Sequence, residues 1–171
     1  MDIDEYFDEI TRLWPQPGES PGKEIVDICL KAVSEYPDTQ PDSSDLWYSL
    51  GIIMERCDEE YNYLAEDYYR CFENATKCDP TNAEAYQELA YVLDVYSEEY
   101  EKAEQAFKQA IELGAGHESY YGLARVLAEM GKTEEALNCI SEDNCPYFEH
   151  PEIQKIRSEI MDREWTPPEM R

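Results

Sequence analysis

The chain has 171 residues, of which 42% are hydrophobic, so it is long enough and apolar enough to form a domain with a buried core. Its 40 acidic residues against 14 Lys and Arg give a formal charge of -26, which disfavours binding to nucleic acid or to an anionic membrane surface. We therefore expect no nucleic-acid and no membrane partner. The excess acid serves either solubility or attraction of a basic partner.

The first ten residues, MDIDEYFDEI, contain five acids and no base, whereas a secretory signal begins with positive charge and continues into an apolar run. No later stretch approaches the length of about 18 apolar residues that spans a bilayer. The expected location is the cytoplasm. The six cysteines form no C-x-x-C pair, and we expect reduced, mostly buried thiols.

Apolar residues recur three and four positions apart along most of the chain, and alternating strand-like runs are almost absent. The pattern predicts an all-α protein. Proline and glycine divide it into nine predicted helices, near residues 3–13, 22–36, 43–56, 62–78, 83–96, 99–113, 117–130, 133–142 and 151–163.

One order of residue types occurs three times, beginning at Trp47, Tyr86 and Tyr120. An aromatic residue, a leucine and a small residue in one helix are followed by small and bulky residues in the next. The residues in these positions are Trp47, Leu50, Gly51, Met54, Phe72, Ala75 and Pro80, then Tyr86, Leu89, Ala90, Leu93, Ala103, Phe107 and Ala110, then Tyr120, Leu123, Ala124, Leu127, Ala136 and Ile140. This order resembles the tetratricopeptide repeat (TPR). Cys29, Ala32 and Pro37 look like the second helix of a preceding unit.

The resemblance implies an all-α fold in which tandem TPR helix pairs form a right-handed superhelix between N- and C-terminal capping helices. We expect one TPR-like domain over residues 1–171. Its parts are an N-terminal helix within 1–17, about three and a half repeats over 22–142, a capping helix at 151–163 and a tail at 164–171.

Small residues mark where two helices come close. Ala103, Ala106 and Ala110 share a stripe with Phe107, and we expect them to lie against a neighbouring helix. The first repeat carries about five extra residues near 57–63, CDEEYNY. These residues form either a tolerated loop or longer helix, or a loop that contacts a partner.

The resemblance also implies a concave groove, lined by the first helix of each unit, that holds a peptide or helix. Nine positions carry over as partner-binding candidates: Tyr48, Ile52, Glu55, Gln87, Tyr91, Asp94, Tyr121, Arg125 and Glu129. This surface is aromatic and mostly acidic, so the expected ligand is a basic or amphipathic segment with apolar anchors. The alternative is that these tyrosines pack on neighbouring helices.

The sequence offers little for catalysis. His117 and His150 sit at predicted helix starts, where a surface position is the simpler interpretation, and no nucleophile, nucleotide-binding or zinc-protease motif accompanies them. We expect no cofactor, no metal and no enzymatic activity.

Three functions are consistent with these features. The first is a noncatalytic scaffold, adaptor or chaperone-like, that binds a segment in its groove. The second is an acidic antagonist or immunity-type protein that blocks a basic partner such as a nuclease toxin. The third is a homodimeric structural module.

Overall fold

The computed structural model of the chain describes residues 1–38, 41–57 and 61–162. These residues contain helices and no strand, which confirms the predicted all-α class. The helices are α1 (Ile3–Leu13), α2 (Lys23–Glu35), α3 (Asp42–Arg56), α4 (Ala65–Cys78), α5 (Ala83–Val95), α6 (Tyr100–Glu112), α7 (His117–Glu129), α8 (Thr133–Cys139) and α9 (Pro151–Met161).

The chain divides into two compact units, one up to Ala85 and the other from Tyr86 onward. In the N-terminal unit, α1 packs on α2, α2 on α3 and α3 on α4. In the C-terminal unit, α6 packs on α7, and α7, α8 and α9 pack on one another. Packing between consecutive helices is typical of a helical repeat. The single TPR-like domain over 1–171 stays a prediction, and its tail at 164–171 lies outside the described residues.

Two helices are three residues shorter than the sequence predicted. The α4 helix begins at Ala65 because Asn62 has a φ of 52° and the Leu64 amide donates to the Asp67 carboxylate (2.9 Å). The interval between the end of α3 and the start of α4, residues 57–64, is twice as long as the interval 96–99 between α5 and α6, so the extra residues of the first repeat fall between two helices. Residues 58–60 of this interval lie outside the described part of the chain.

The α8 helix ends at Cys139, three residues before its predicted end. In its last turn, side chains take the place of backbone donors. The Ser141 hydroxyl and the Asn144 side-chain amide both donate to the Asn138 carbonyl (2.8 and 3.1 Å). Side chains of this kind satisfy carbonyls that a helix leaves without intrahelical partners.

The terminal helices bury one face each. On α1 the buried residues are Tyr6 and Ile10, and burial raises the pKa of Tyr6 to about 12. On α9 the spacing of Ile153, Ile156 and Ile160 puts them on one face, and this face is buried, each residue with at most 1% of its surface exposed.

A phenylalanine ring lies against a glycine in each unit. Phe72 and Phe107 have no exposed surface. A Cβ atom built on Gly51 would lie 2.6 Å from Cε1 of Phe72, and one on Gly122 would overlap the ring of Phe107 even more severely. Ala103 and Ala110 are fully buried on the same helix as Phe107, which confirms the predicted stripe of small residues.

Gly122→Ala should lower the free energy of unfolding by about 1 to 3 kcal/mol, because the added methyl group overlaps the Phe107 ring. At an ordinary helical glycine, alanine stabilises by about 1 kcal/mol instead. Urea denaturation measures the difference. The double variant Gly122→Ala with Phe107→Leu should lose less free energy of unfolding than the two single variants lose together, since leucine at 107 leaves room for the alanine methyl group. A Gly122→Ala variant as stable as the unchanged protein would contradict this close approach.

Candidate functional site

The three candidates on α3 differ in accessibility. Tyr48 is half-buried, and its ring lies 6.1 Å from the Phe72 ring, centroid to centroid. Glu55 is exposed, whereas Ile52 has only 6% of its surface exposed and lies in the core. Of the three, Tyr48 therefore combines a packed ring with access to solvent.

A cavity of about 310 Å³ opens beside Tyr48 in the N-terminal unit, and we call it the Tyr48 cavity. Its lining consists of Asp45, Tyr48, Asp79, Thr81, Asn82 and Glu84. Burial raises the pKa of the Asp45 carboxyl, and the charges of Asp42, Asp79 and Glu84 raise it further. The lining contains carboxylates and no basic side chain, so a positive charge from outside the cavity would be attracted there.

Local hydrogen bonds fix the shape of this cavity. The α4 helix ends before Asp79, whose carboxylate accepts from the amide (2.8 Å) and the hydroxyl (2.7 Å) of Thr81. The Asn82 side chain accepts from the Ala85 amide at the start of α5 (2.9 Å) and donates to the Ser44 hydroxyl on α3 (2.9 Å). These bonds hold the turn between α4 and α5 against α3, as asparagine does when it caps a helix.

The candidates on α5 are bonded to α7 within the C-terminal unit. The three pairs are Ser119 Oγ donating to Gln87 Oε1 (2.8 Å), Tyr91 OH donating to the Glu118 carbonyl (2.9 Å), and Arg125 Nε donating to Asp94 Oδ2 (3.0 Å). The Tyr91 ring also meets the Phe107 ring edge-on, with centroids 5.0 Å apart. These side chains hold α5 and α7 together. For Tyr91 this agrees with the alternative that the tyrosines pack on neighbouring helices, whereas the bonds of Gln87 and Asp94 to α7 were not predicted.

Asp94 is buried, with 4% of its surface exposed, and pairs with Arg125. Burial alone would lower the pKa of Arg125, but its hydrogen bond to Asp94 and the charge of that carboxylate raise the pKa above its ordinary value. The two charges offset each other. Asp94 is therefore placed as a structural ion-pair partner and contributes little free charge to a surface.

Glu129 lies next to this pair, in a cavity of about 220 Å³ lined by Asp94, Val95, Glu98, Tyr100, Arg125 and Glu129. Burial and the charge of Asp94 raise the pKa of Glu129 to about 7, although Arg125 opposes the shift. Tyr121 is half-buried. The structure thus brings together Tyr91, Asp94, Arg125 and Glu129, and the assignment of all nine candidates to partner binding stays a prediction.

The two histidines lie together, which the sequence did not indicate. Their rings are 3.7 Å apart, centroid to centroid, and Nε2 of His117 lies 3.0 Å from Oε2 of Glu152. The residues are 33 positions apart in the chain, so only the packing of α7 on α9 brings them together. In the sequence, the two histidines share one feature, which is that each lies at the start of a predicted helix.

All six cysteines are free thiols, and four are buried. Burial raises the pKa of Cys29, Cys71 and Cys139 to about 12, which keeps these thiols protonated and poorly nucleophilic at neutral pH. In the described residues, each helix is too short or too polar to cross a bilayer.

Comparisons with known proteins agree with this architecture. Residues 71–105 match the tetratricopeptide repeat family. The crystal structure of MamA superposes with a TM-score of 0.58 over 82% of this chain and 86% of that chain, at 20% sequence identity. A search of curated proteins found no match. The fold is an all-α helical repeat.

As the pH rises from about 5 to about 8, the free energy of unfolding should fall less in the Glu129→Gln variant than in the unchanged protein. The folded protein holds the Glu129 proton more tightly than the unfolded chain, because the pKa rises from 4.5 to about 7. This contribution is complete below pH 4.5 and is lost as the pH rises through 7. We expect a difference of about 1 kcal/mol for this half-buried group, measured by urea denaturation at both pH values.

The matched control is Glu112→Gln, which makes the same chemical change at an exposed position of α6. It should follow the pH dependence of the unchanged protein. An identical pH dependence in the Glu129 variant would show that this carboxyl is ionised at neutral pH.

Proposed function

We propose that the protein is a noncatalytic scaffold, adaptor or chaperone-like, that binds a basic or amphipathic segment of another protein. The match of residues 71–105 to the tetratricopeptide repeat family supports binding to another protein, since stacked helical repeats present extended surfaces that bind proteins and peptides. The charge of -26 supports the chemistry of the segment, because a basic ligand would be attracted and an acidic one repelled.

The proposal rests mainly on the Tyr48 cavity. This cavity places an aromatic ring that packs on Phe72 next to Asp45, Asp79 and Glu84, and no basic side chain is among the described residues of the lining. Tyrosine gives a ligand apolar contact area and a polar tip, and it has only two side-chain torsions to fix on binding. A lysine or arginine of the ligand would place its charge among the carboxylates while its aliphatic stem covers the ring.

The C-terminal unit contributes differently. Gln87, Tyr91 and Asp94 already bond to α7, so a ligand would compete with those bonds or use the side chains that remain. Tyr121 is half-buried, and Glu129 is only partly ionised at neutral pH because burial raises its pKa to about 7. We therefore assign the main electrostatic attraction to the N-terminal unit.

A second candidate function is the acidic antagonist, and the large excess of exposed acid favours it. Such a protein would use carboxylates on its outer surface to cover a basic partner. The two functions place the essential carboxylates on different surfaces. Charge-matched variants therefore distinguish them.

The test begins with peptides selected from a random display library by the unchanged protein, which should be rich in Lys, Arg and apolar residues. Fluorescence anisotropy then measures their affinity for the double variant Asp45→Asn with Glu84→Gln. We expect affinity to fall by about tenfold or more, with slower association, since the carboxylates both attract and hold the ligand. Binding to the unchanged protein should weaken as salt rises.

The control double variant is Glu24→Gln with Asp27→Asn, which removes the same charge from exposed positions of α2 in the same unit. It should bind the selected peptides within about twofold of the unchanged protein. Equal weakening in both double variants would instead support binding by diffuse outer charge, as the antagonist requires. Selection of acidic peptides would exclude both.

A further inference from the structure

Three potential metal ligands converge in the C-terminal unit. They are His117 at the first position of α7, His150 immediately before α9, and Glu152 in the first turn of α9. One ligand atom from each lies within 4.8 Å of the other two. No role in the proposed partner binding uses these residues.

We propose that His117, His150 and Glu152 form a Zn²⁺ site. Two imidazoles and one carboxylate are a ligand set that zinc takes in proteins, with a water molecule completing a tetrahedron. Ligand atoms about 2.0 to 2.1 Å from zinc lie about 3.3 Å from one another. The present separation of 3.0 Å between His117 Nε2 and Glu152 Oε2, within a 4.8 Å cluster, needs only small side-chain rotations to reach that geometry.

The surroundings of His117 favour this arrangement. Its other ring nitrogen, Nδ1, lies 3.3 Å from Oε2 of Glu118. A carboxylate that accepts from Nδ1 fixes the ring orientation and leaves Nε2 free to bind a metal, as in many zinc sites. Gly116 permits this contact, because a Cβ atom at that position would lie 2.8 Å from the same carboxylate oxygen.

His150 also has a nitrogen to offer. Its Nδ1 accepts from the Glu152 amide at a long distance of 3.4 Å, so in the neutral ring the proton is on Nε2. Binding of zinc through Nε2 therefore moves that proton to Nδ1 and breaks this long contact. Pro151 occupies the first turn of α9 and fixes the backbone between His150 and Glu152. The partial positive charges at the starts of α7 and α9 oppose a cation, and the carboxylates of Glu118 and Glu152 offset them.

The site is partly enclosed by an aromatic ring. The side chain of His117 has 22% of its surface exposed, and the Tyr147 ring meets it edge-on with centroids 6.1 Å apart. Zinc would lie between His117 Nε2 and Glu152 Oε2 in place of their direct contact. The metal would then link the start of α7 to the start of α9 and stabilise the C-terminal unit.

The test measures thermal unfolding of the full chain with and without ZnCl₂. A stoichiometric amount of zinc should raise the unfolding midpoint by about 3 °C or more, because the metal binds the folded site more tightly than the unfolded chain. Glu152→Gln and His150→Gln should each weaken zinc binding at least about tenfold in isothermal titration calorimetry. MgCl₂ at the same concentration should leave the midpoint unchanged, since magnesium prefers oxygen ligands.

Glu149→Gln is the matched control, because Glu149 is an exposed acid of the same loop outside the cluster. It should bind zinc like the unchanged protein. Cobalt substitution separates this site from the free cysteines, since His and Glu ligands give no thiolate-to-cobalt charge-transfer band. An unchanged midpoint, equal zinc affinity in the Glu152 variant, or a thiolate band would each overturn the proposal.

Discussion

The fit of a phenylalanine ring against a glycine determines how closely the helices pack in each unit. Phe72 lies against Gly51 between α3 and α4, and Phe107 lies against Gly122 between α6 and α7. A ring of this size fills the gap that two backbones leave at close approach, and a single added methyl group overfills it. The alanines on the same helix as Phe107 are also small enough to let a neighbouring helix approach closely. The aromatic position of the repeat is thus stable only because the facing position is glycine.

Charge is organised differently in the two units. In the C-terminal unit, Arg125 offsets the buried Asp94, and α5 uses its polar side chains to hold α7. Around Tyr48 in the N-terminal unit, the charged residues among the described lining of the cavity are all acidic, and burial together with the neighbouring carboxylates raises the pKa of Asp45. A cation brought by a ligand relieves the repulsion among these carboxylates, whereas the Arg125 pair already has its counter-charge. This difference is why the binding proposal centres on Tyr48.

The sequence predicted the helices and the small-residue stripe because both depend on spacing along one helix. It did not predict which particular residues of two different helices meet. Gly122 lies outside the repeated residue order, so its contact with Phe107 was not expected. Asp94 was expected as a surface charge, but its partner Arg125 is on another helix and the pair is buried. His117 and His150 looked like isolated surface residues for the same reason, since α9 carries one to the other.

Binding of a basic segment at the Tyr48 cavity is tested most directly by titrating the ¹⁵N-labelled protein with a selected basic peptide and recording ¹H–¹⁵N NMR spectra. The account predicts that the largest shift changes occur at the amides of Asp45, Tyr48 and Thr81, around the Tyr48 cavity. Amides at the Gln87, Tyr91 and Asp94 positions should change less, because their side chains are already bonded to α7. Largest changes on α5 and α7, with the Tyr48 cavity unaffected, would contradict it.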